Sequence, residues 1–145
     1  MNSTTTMISI VSPVYGAASL LPELVARIHR ALSGITDRYE IILVDDNSPD
    51  NSWEVMQQLV ESDDKIIGLS LSKNFGQQYA LNAGFDQAAG EWIVSMDCDL
   101  QDEPDQDSSV ANFVMYNRKV VEAMGKFGDY YQILSATVWL HGLKV

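Results

Sequence analysis

The chain is 145 residues long and carries 9 Lys and Arg against 20 Asp and Glu, a formal charge of −11. That balance excludes a protein gripping nucleic acid through a basic phosphate-binding face, and any anionic ligand will need a local cation. At 46% hydrophobic and 20% charged residues the composition fits one globular domain with a sizeable core. Cys98 is the single cysteine, which excludes an intrachain disulfide framework and points to a reducing compartment; with only His29 and His141 beside it, a structural zinc site is improbable. The polar start, Met1 to Thr6, has no basic or apolar targeting region, and no apolar run approaches the ~18 residues of a membrane span. A soluble, cytoplasmic chain is expected.

In chain order, four short apolar runs read as strands: Met7 to Val14, Glu40 to Val44, Ile66 to Leu71 and Trp92 to Met96. Ile41 to Val44 are consecutively apolar, the pattern of a parallel strand covered on both faces. Leu20, Leu21, Leu24, Val25, Ile28 and Leu32 follow helical spacing, with Ser19 expected as N-cap and Gly34 as stop. A second helix is expected from Ser48-Pro49 with Trp53, Met56, Leu59 and Val60 on one face. A third is expected from Asn74, with Gln77 completing a capping box, to Gly90. Beyond the acidic stretch Asp97 to Asp107, Val110 to Tyr116 reads as a strand, and Arg118 to Lys126 and Tyr130 to Leu140 as helices. The tail is too apolar to stay solvated and must extend the sheet or cover a face of it.

Alternating strands and helices imply an α/β fold with an open, mostly parallel sheet and right-handed crossovers. Ligands in such sheets bind outside the carboxyl ends of the strands, which here are Pro13 to Gly16, Asp45 to Ser48, Ser72 to Gly76 and Asp97 to Asp102. Asp97 and Asp99, two positions apart at a strand end, can share a hard divalent cation, with Gln101 and Asp102 adding oxygens suited to Mg²⁺ or Mn²⁺. The same acids can instead solvate the loop or cap a helix. Of Asp45 and Asp46, one is expected to be spent on an Asx-turn or cap and the other to accept hydrogen bonds from a base or ribose. Tyr15 is either a core aromatic or a platform for a nucleobase. Neither a dinucleotide glycine motif nor a Walker loop is present, so a diphosphate would depend on a metal. Cys98, between two carboxylates, is a poor nucleophile. His29 reads as a surface residue, Trp53, Trp92 and Trp139 as core, and Arg118 and Lys119 as a solvated helix start.

Four segments, S-P-V-Y at Ser12 to Tyr15, Y-E-I-I-L-V-D-D-N-S-P-D-N-S-W at Tyr39 to Trp53, L-S-K-N-F-G-Q-Q at Leu71 to Gln78 and M-D-C-D-L-Q-D at Met96 to Asp102, together resemble the family 2 glycosyltransferases of GT-A fold. Within that family they look most like polyprenyl-phosphate glycosyltransferases. The resemblance implies that Pro13, Tyr15 and Asp45, joined by Asp46 and Asn74, contact a UDP- or GDP-linked sugar. It also implies that Asp97 and Asp99 act catalytically through Mg²⁺ or Mn²⁺, and that Gln101 completes the metal shell. Inverting transfer to a polyprenyl phosphate at the inner face of the membrane, in cell-envelope chemistry, would follow. No general base is evident, and a phosphate acceptor, already anionic, needs little help from one.

Two departures stand out. The family's usual Asn-Glu after the tyrosine is here Gly16-Ala17, and a block of several tens of residues that normally helps to hold the acceptor phosphate looks missing at Glu103 to Asp107. The segment Val110 to Met124 then resembles one that comes much later in relatives, and the C-terminal membrane helices of many relatives do not follow. Residues 1–104 are thus expected to form the nucleotide-sugar-binding part, and 105–145 a C-terminal part packing on the same domain. The shortened chain is expected to leave a sheet edge uncovered, to be incomplete on the acceptor side, and to bind donor better than it transfers sugar, self-associating or needing another chain. A non-catalytic nucleotide-binding fragment and a nucleotidyltransferase remain alternative readings.

Overall fold

The computed structural model describes residues 5–98, 113–117, 136–140 and 143–144. Four parallel strands, β1 (Ile8–Val14), β2 (Tyr39–Asp45), β3 (Ile66–Leu71) and β4 (Trp92–Met96), stand in the order β4-β1-β2-β3. They are linked through α1 (Leu21–Leu32), α2 (Ser52–Ser62) and α3 (Gln77–Gln87). Three later strands flank this block: β5 (Phe113–Asn117) pairs antiparallel with β4, β6 (Ala136–Leu140) pairs antiparallel with β3, and β7 (Leu143–Lys144) pairs with β6.

The unbroken apolar run of β2 has its reason in the two layers it separates. Ile41 and Leu43 face Leu21, Leu24, Val25 and Ile28 of α1 and Met56 and Val60 of α2. Ile42 and Val44 face Ala80, Ala83 and Phe85 of α3 on the other side. A side chain pointing either way from β2 leaves water, so alternation would be penalised at every second position. Helix α3 lies close enough to the sheet that a Cβ on Gly84 would sit 2.2 Å from a Val11 methyl. Past α3, Gly90 is tighter against the main chain: a Cβ there would meet the Ser9 nitrogen at 2.7 Å and the Ile8 carbonyl carbon at 2.9 Å. The closeness serves a polar knot in which Gly90 N donates to Ser9 Oγ (2.8 Å). Ser9 Oγ and Ala89 N both donate to Glu40 Oε1, at 2.6 and 2.7 Å.

Several local expectations need correction. Helix α1 has Leu20, not Ser19, at its N-cap; its C-cap is Ser33, with Gly34 directly after it at the expected stop. Helix α2 begins at Ser52 after Asn51, not at Ser48-Pro49, because Ser48 is committed to a neighbouring loop described below. No capping box forms at Asn74, since α3 starts at Gln77 after Gly76, whose φ of +104° suits glycine alone, and stops at Gln87. Residues 136–140, read as the end of a helix, form β6: Thr137, Val138 and Trp139 favour the pleated conformation, and β3 offers them a free edge. The tail therefore extends the sheet: both outer strands of the parallel block are paired, and β5 and β7 are outermost among the described strands. The helix expected at 118–126 lies outside the described residues.

His29 is more than a surface residue. Its Nδ1 lies 2.5 Å from the Tyr39 hydroxyl and its Nε2 2.5 Å from Asp63 Oδ2, tying α1 to the start of β2 and the end of α2. Trp53 packs against the core as expected, whereas Trp92 is 38% exposed. The side chain of Trp139 lies outside the described residues.

Candidate active site

The carboxyl ends of β1, β2, β3 and β4 surround a cavity of about 410 Å³ lined by Pro13, Val14, Tyr15, Asp46, Asn74, Gly76, Gln77, Asp97 and Cys98. It sits where the chain order reverses, β1 having β2 on one side and β4 on the other, the place where doubly wound sheets leave a crevice. Five of the residues singled out from sequence, Pro13, Tyr15, Asp46, Asn74 and Asp97, meet there. Asp45 is not in the lining; it pairs in register with Val14, one residue from Tyr15. Asp99 and Gln101 lie outside the described residues, and among the described residues no group of three or more His, Cys, Asp or Glu could hold a metal.

The two aspartates after β2 divide their work. Asp46, 4% exposed, accepts from Phe75 N (2.8 Å) and Gly76 N (3.0 Å), so its carboxylate pins the loop that carries Asn74 and Gly76 into the cavity. Asp45, 3% exposed, accepts from Ser48 Oγ at 2.5 Å and Ser48 N at 3.2 Å, the turn-stabilising role expected of one of the pair. Burial pushes the Asp45 carboxyl above its ordinary value, with the neighbouring charges of Asp50 and Asp46 adding to the rise and the Ser48 hydrogen bonds opposing it.

The frame is built by Ser48, read from sequence only as a helix start, and by Asp50 and Ser52, which sequence reasoning passed over. Ser48 Oγ accepts from Gly16 N (3.0 Å), Ser52 Oγ from Ala17 N (3.1 Å), and Asp50 Oδ2 from Ala18 N (3.4 Å). Ser52 Oγ in turn donates to Asp50 Oδ1 at 2.5 Å, which holds the Asp50 carboxyl below its ordinary value. Three successive amides after Tyr15 are thus taken by side chains of the loop after β2 and of the first residue of α2. Gly16 turns there with φ +63°, and Tyr15 is left 55% exposed beside the cavity. The signal was in the sequence as hydroxyl and carboxylate at every second position, Ser48, Asp50 and Ser52, but that spacing reads equally as helix capping. Gln77 was noted only as a cap partner; its Nε2 donates to Asp97 Oδ1 at 2.9 Å, joining the start of α3 to the end of β4.

The Asp45 geometry makes a testable prediction. Its folded carboxyl binds a proton more tightly than the unfolded chain, where aspartate titrates near 3.8. The stability it contributes is therefore full below that value and lost as pH rises through the raised folded value, so at pH 7 the buried charge is a cost. Asp45→Asn keeps the shape and an acceptor for Ser48, and is expected to melt above the parent at pH 7. The shift should be about 2–4 °C for each kcal/mol relieved in a chain near this size, and the two should converge towards pH 4. A variant melting below the parent at pH 7 would show that the carboxylate is stabilised in place.

Comparison with known proteins accords with this geometry. Among solved structures, the mannosyltransferase PcManGT from Pyrobaculum calidifontis in complex with GDP-Man and Mn2+ superposes with a TM-score of 0.58 at 23% identity, over 68% of this chain and 30% of that one. S. aureus TarS 1–349 in complex with UDP-GlcNAc gives 0.56 at 20% identity, over 84% and 31%. The fold is that of a GT-A glycosyltransferase. The Glycosyl transferase family 2 model matches residues 9–136, and the chain belongs to that family. An undecaprenyl-phosphate 4-deoxy-4-formamido-L-arabinose transferase from Pseudomonas savastanoi pv. phaseolicola is 42% identical over 100 residues, covering 68% of this chain and 30% of the relative. That from Aeromonas hydrophila subsp. hydrophila is 34% identical over 124 residues, covering 85% and 38%. The chain thus spans 30–38% of the length of these relatives. Among the described residues no helix is long and apolar enough to cross a membrane.

Proposed function

We propose that the cavity binds a nucleotide-diphospho-sugar, UDP- or GDP-linked, with Mg²⁺ or Mn²⁺, and that the chemistry is inverting transfer of the sugar to a polyprenyl phosphate at the inner membrane surface. The observation that carries this reading is the convergence of Tyr15, Asn74, Gly76 and Asp97 on one cavity at the switch point of the sheet. Pro13 and the exposed ring of Tyr15 form a platform for the base, and Asp45, in register with Val14 and held by Ser48, fixes the turn that flanks it. Asp46 acts through the loop it pins, presenting Asn74 to the sugar nucleotide.

The donor set fits a hard cation. The described lining offers the Asp97 carboxylate, the Asp46 carboxylate already engaged by the Phe75 and Gly76 amides, amide oxygens, the Cys98 thiol and no Lys or Arg, and Mg²⁺ is commonly held by one or two carboxylates plus substrate phosphates. Asp97, Asp99 and Gln101 are the residues assigned to it. When bound, the metal would stabilise the charge on the departing diphosphate. In the transfer an acceptor phosphate oxygen bonds to the anomeric carbon from the face opposite the leaving group, and the bond from that carbon to the diphosphate oxygen breaks, releasing nucleoside diphosphate. Asp97 is oriented for its part by Gln77. Residues 1–104 carry the donor site and 105–145 complete the same domain, a division supported by the entry of β5 and β6 into the one sheet.

Calorimetric titration of UDP, GDP and their sugar conjugates, each with Mn²⁺ and with chelator, tests the reading. One nucleotide series should bind, and Tyr15→Ala should weaken the nucleoside diphosphate itself. Equal affinity in chelator would remove the metal. Failure of every nucleotide would remove the function.

A further inference from the structure

We propose that Lys73, Phe75 and Tyr79 form the docking point for the lipid acceptor, with Lys73 taking the phosphate end of a polyprenyl phosphate and the two aromatic rings its first isoprene units. The inference rests on the acceptor class proposed above and assigns that acceptor a place at the rim of the cavity, outside its lining.

Charge is the first argument. None of the described cavity-lining residues is cationic, yet the acceptor brings a further phosphate to a site that already holds a diphosphate. Among residues with described side chains, Arg27 and Arg30 lie on α1 and pair with Glu23. Arg38 immediately precedes β2, and Lys65 immediately precedes β3, at the amino ends of strands and so at the opposite edge of the sheet. Lys73 alone follows the carboxyl end of a strand, two residues after Leu71. It forms no ion pair among the described residues. Its ammonium rests 5.0 Å from the centroid of Phe75, a support that orients the charge without neutralising it and leaves its donors for an anion.

Position is the second. Lys73 belongs to the loop whose Asn74 and Gly76 line the cavity and whose Phe75 and Gly76 amides are held by Asp46. The cation thus stands on an anchored segment at the rim. The Phe75 and Tyr79 rings lie 6.0 Å apart, and Tyr79 is 39% exposed. A phosphate with an apolar chain matches this sequence of cation, half-buried Phe75 ring and exposed Tyr79 ring, whereas free phosphate would use only its first element.

Farnesyl phosphate, used as a monomer below its micelle threshold, serves as probe, with farnesol and inorganic phosphate as controls. Binding is read by calorimetry and by amide chemical shifts of residues 73–79. The parent chain should bind farnesyl phosphate more tightly than either control. Lys73→Ala should weaken that binding about tenfold, as expected for loss of one charge-assisted contact, and Lys73→Arg should restore most of it. Tyr79→Ala should weaken farnesyl phosphate and leave inorganic phosphate unchanged. UDP and GDP are titrated against the same variants. Unchanged farnesyl phosphate affinity in Lys73→Ala overturns the proposal. So does a loss of nucleoside diphosphate matching that of farnesyl phosphate, which would put Lys73 in the donor site, and so does inorganic phosphate binding as tightly as the lipid, which would make this a plain anion site. Failure of UDP and GDP to bind the parent counts against the donor reading and leaves the lipid arm readable.

Discussion

Gly90→Ala is expected to lower the melting temperature by roughly 6–12 °C, the equivalent of about 3 kcal/mol in a chain near this size. The added Cβ would lie 2.7 Å from the Ser9 nitrogen and 2.9 Å from the Ile8 carbonyl carbon, and neither is a side chain that can rotate away. Relief requires either the β1 backbone or residue 90 to move, and each motion lengthens the bond from residue 90 N to Ser9 Oγ, on which the Glu40 knot depends. The reduced freedom of alanine in the unfolded chain returns only ~0.4–1 kcal/mol. Gly34→Ala is the control: nothing lies within 4 Å of a Cβ there, so that variant should melt at or slightly above the parent. Thermal melts of the two side by side decide the matter, and equal melting temperatures would mean that the close approach at Gly90 carries no constraint.

Asp97→Asn is expected to weaken nucleoside diphosphate binding in Mn²⁺ by at least roughly 10–100-fold, since removing a residue that only supports a metal ligand already costs that much. The substitution isolates charge from fold. The introduced carboxamide keeps an oxygen for the Gln77 amide, which in the parent donates to Asp97 Oδ1 at 2.9 Å, so the junction of β4 with α3 should stand. What disappears is the one described carboxylate that β4 brings to the cavity. Chelation should depress the parent to the level of the variant and leave the variant where it is. A variant that binds as the parent does, or one that remains sensitive to chelator, would move the metal away from Asp97.

The parallel strands and the layering of the sheet could be read from residues because burial on both faces leaves a local mark: Ile41 to Val44 admit no polar position. Helix α1 was legible for the same reason, its apolar positions being all on one side. Helix starts were not, because a serine or asparagine before a helix has two uses. Ser48 looks like a cap and instead ties Gly16 to Asp45, and Asn74 looks like a capping box and instead faces the cavity. Only partners some thirty residues distant decide between them. The run Ala136 to Leu140 is too short for periodicity to separate strand from helix, and the edge of β3 decides it. At the candidate site, the residue types were visible at the strand ends, but the division of labour between Asp45 and Asp46 depends on which carboxylate turns towards the Phe75 amide. No local pattern encodes that.

The pairing of β1 has a kinetic consequence. Its ladder with β2 continues to Val14 and Asp45, at the very mouth of the cavity, whereas its ladder with β4 ends at Val11 and Ser95. Beyond Ser95 the ladder of β4 continues only on its β5 side, where Met96 pairs with Phe113, and Gln77 reaches Asp97 from α3. Met96 is paired on one side and residues 43–45 on both, so amide exchange at residue 96 should run ahead of that at residues 43–45. A ligand that engages Tyr15 and Asp97 together would close the gap from within, slowing exchange on β4 far more than on β2. Protection would then report occupancy of the cavity without any assay of turnover.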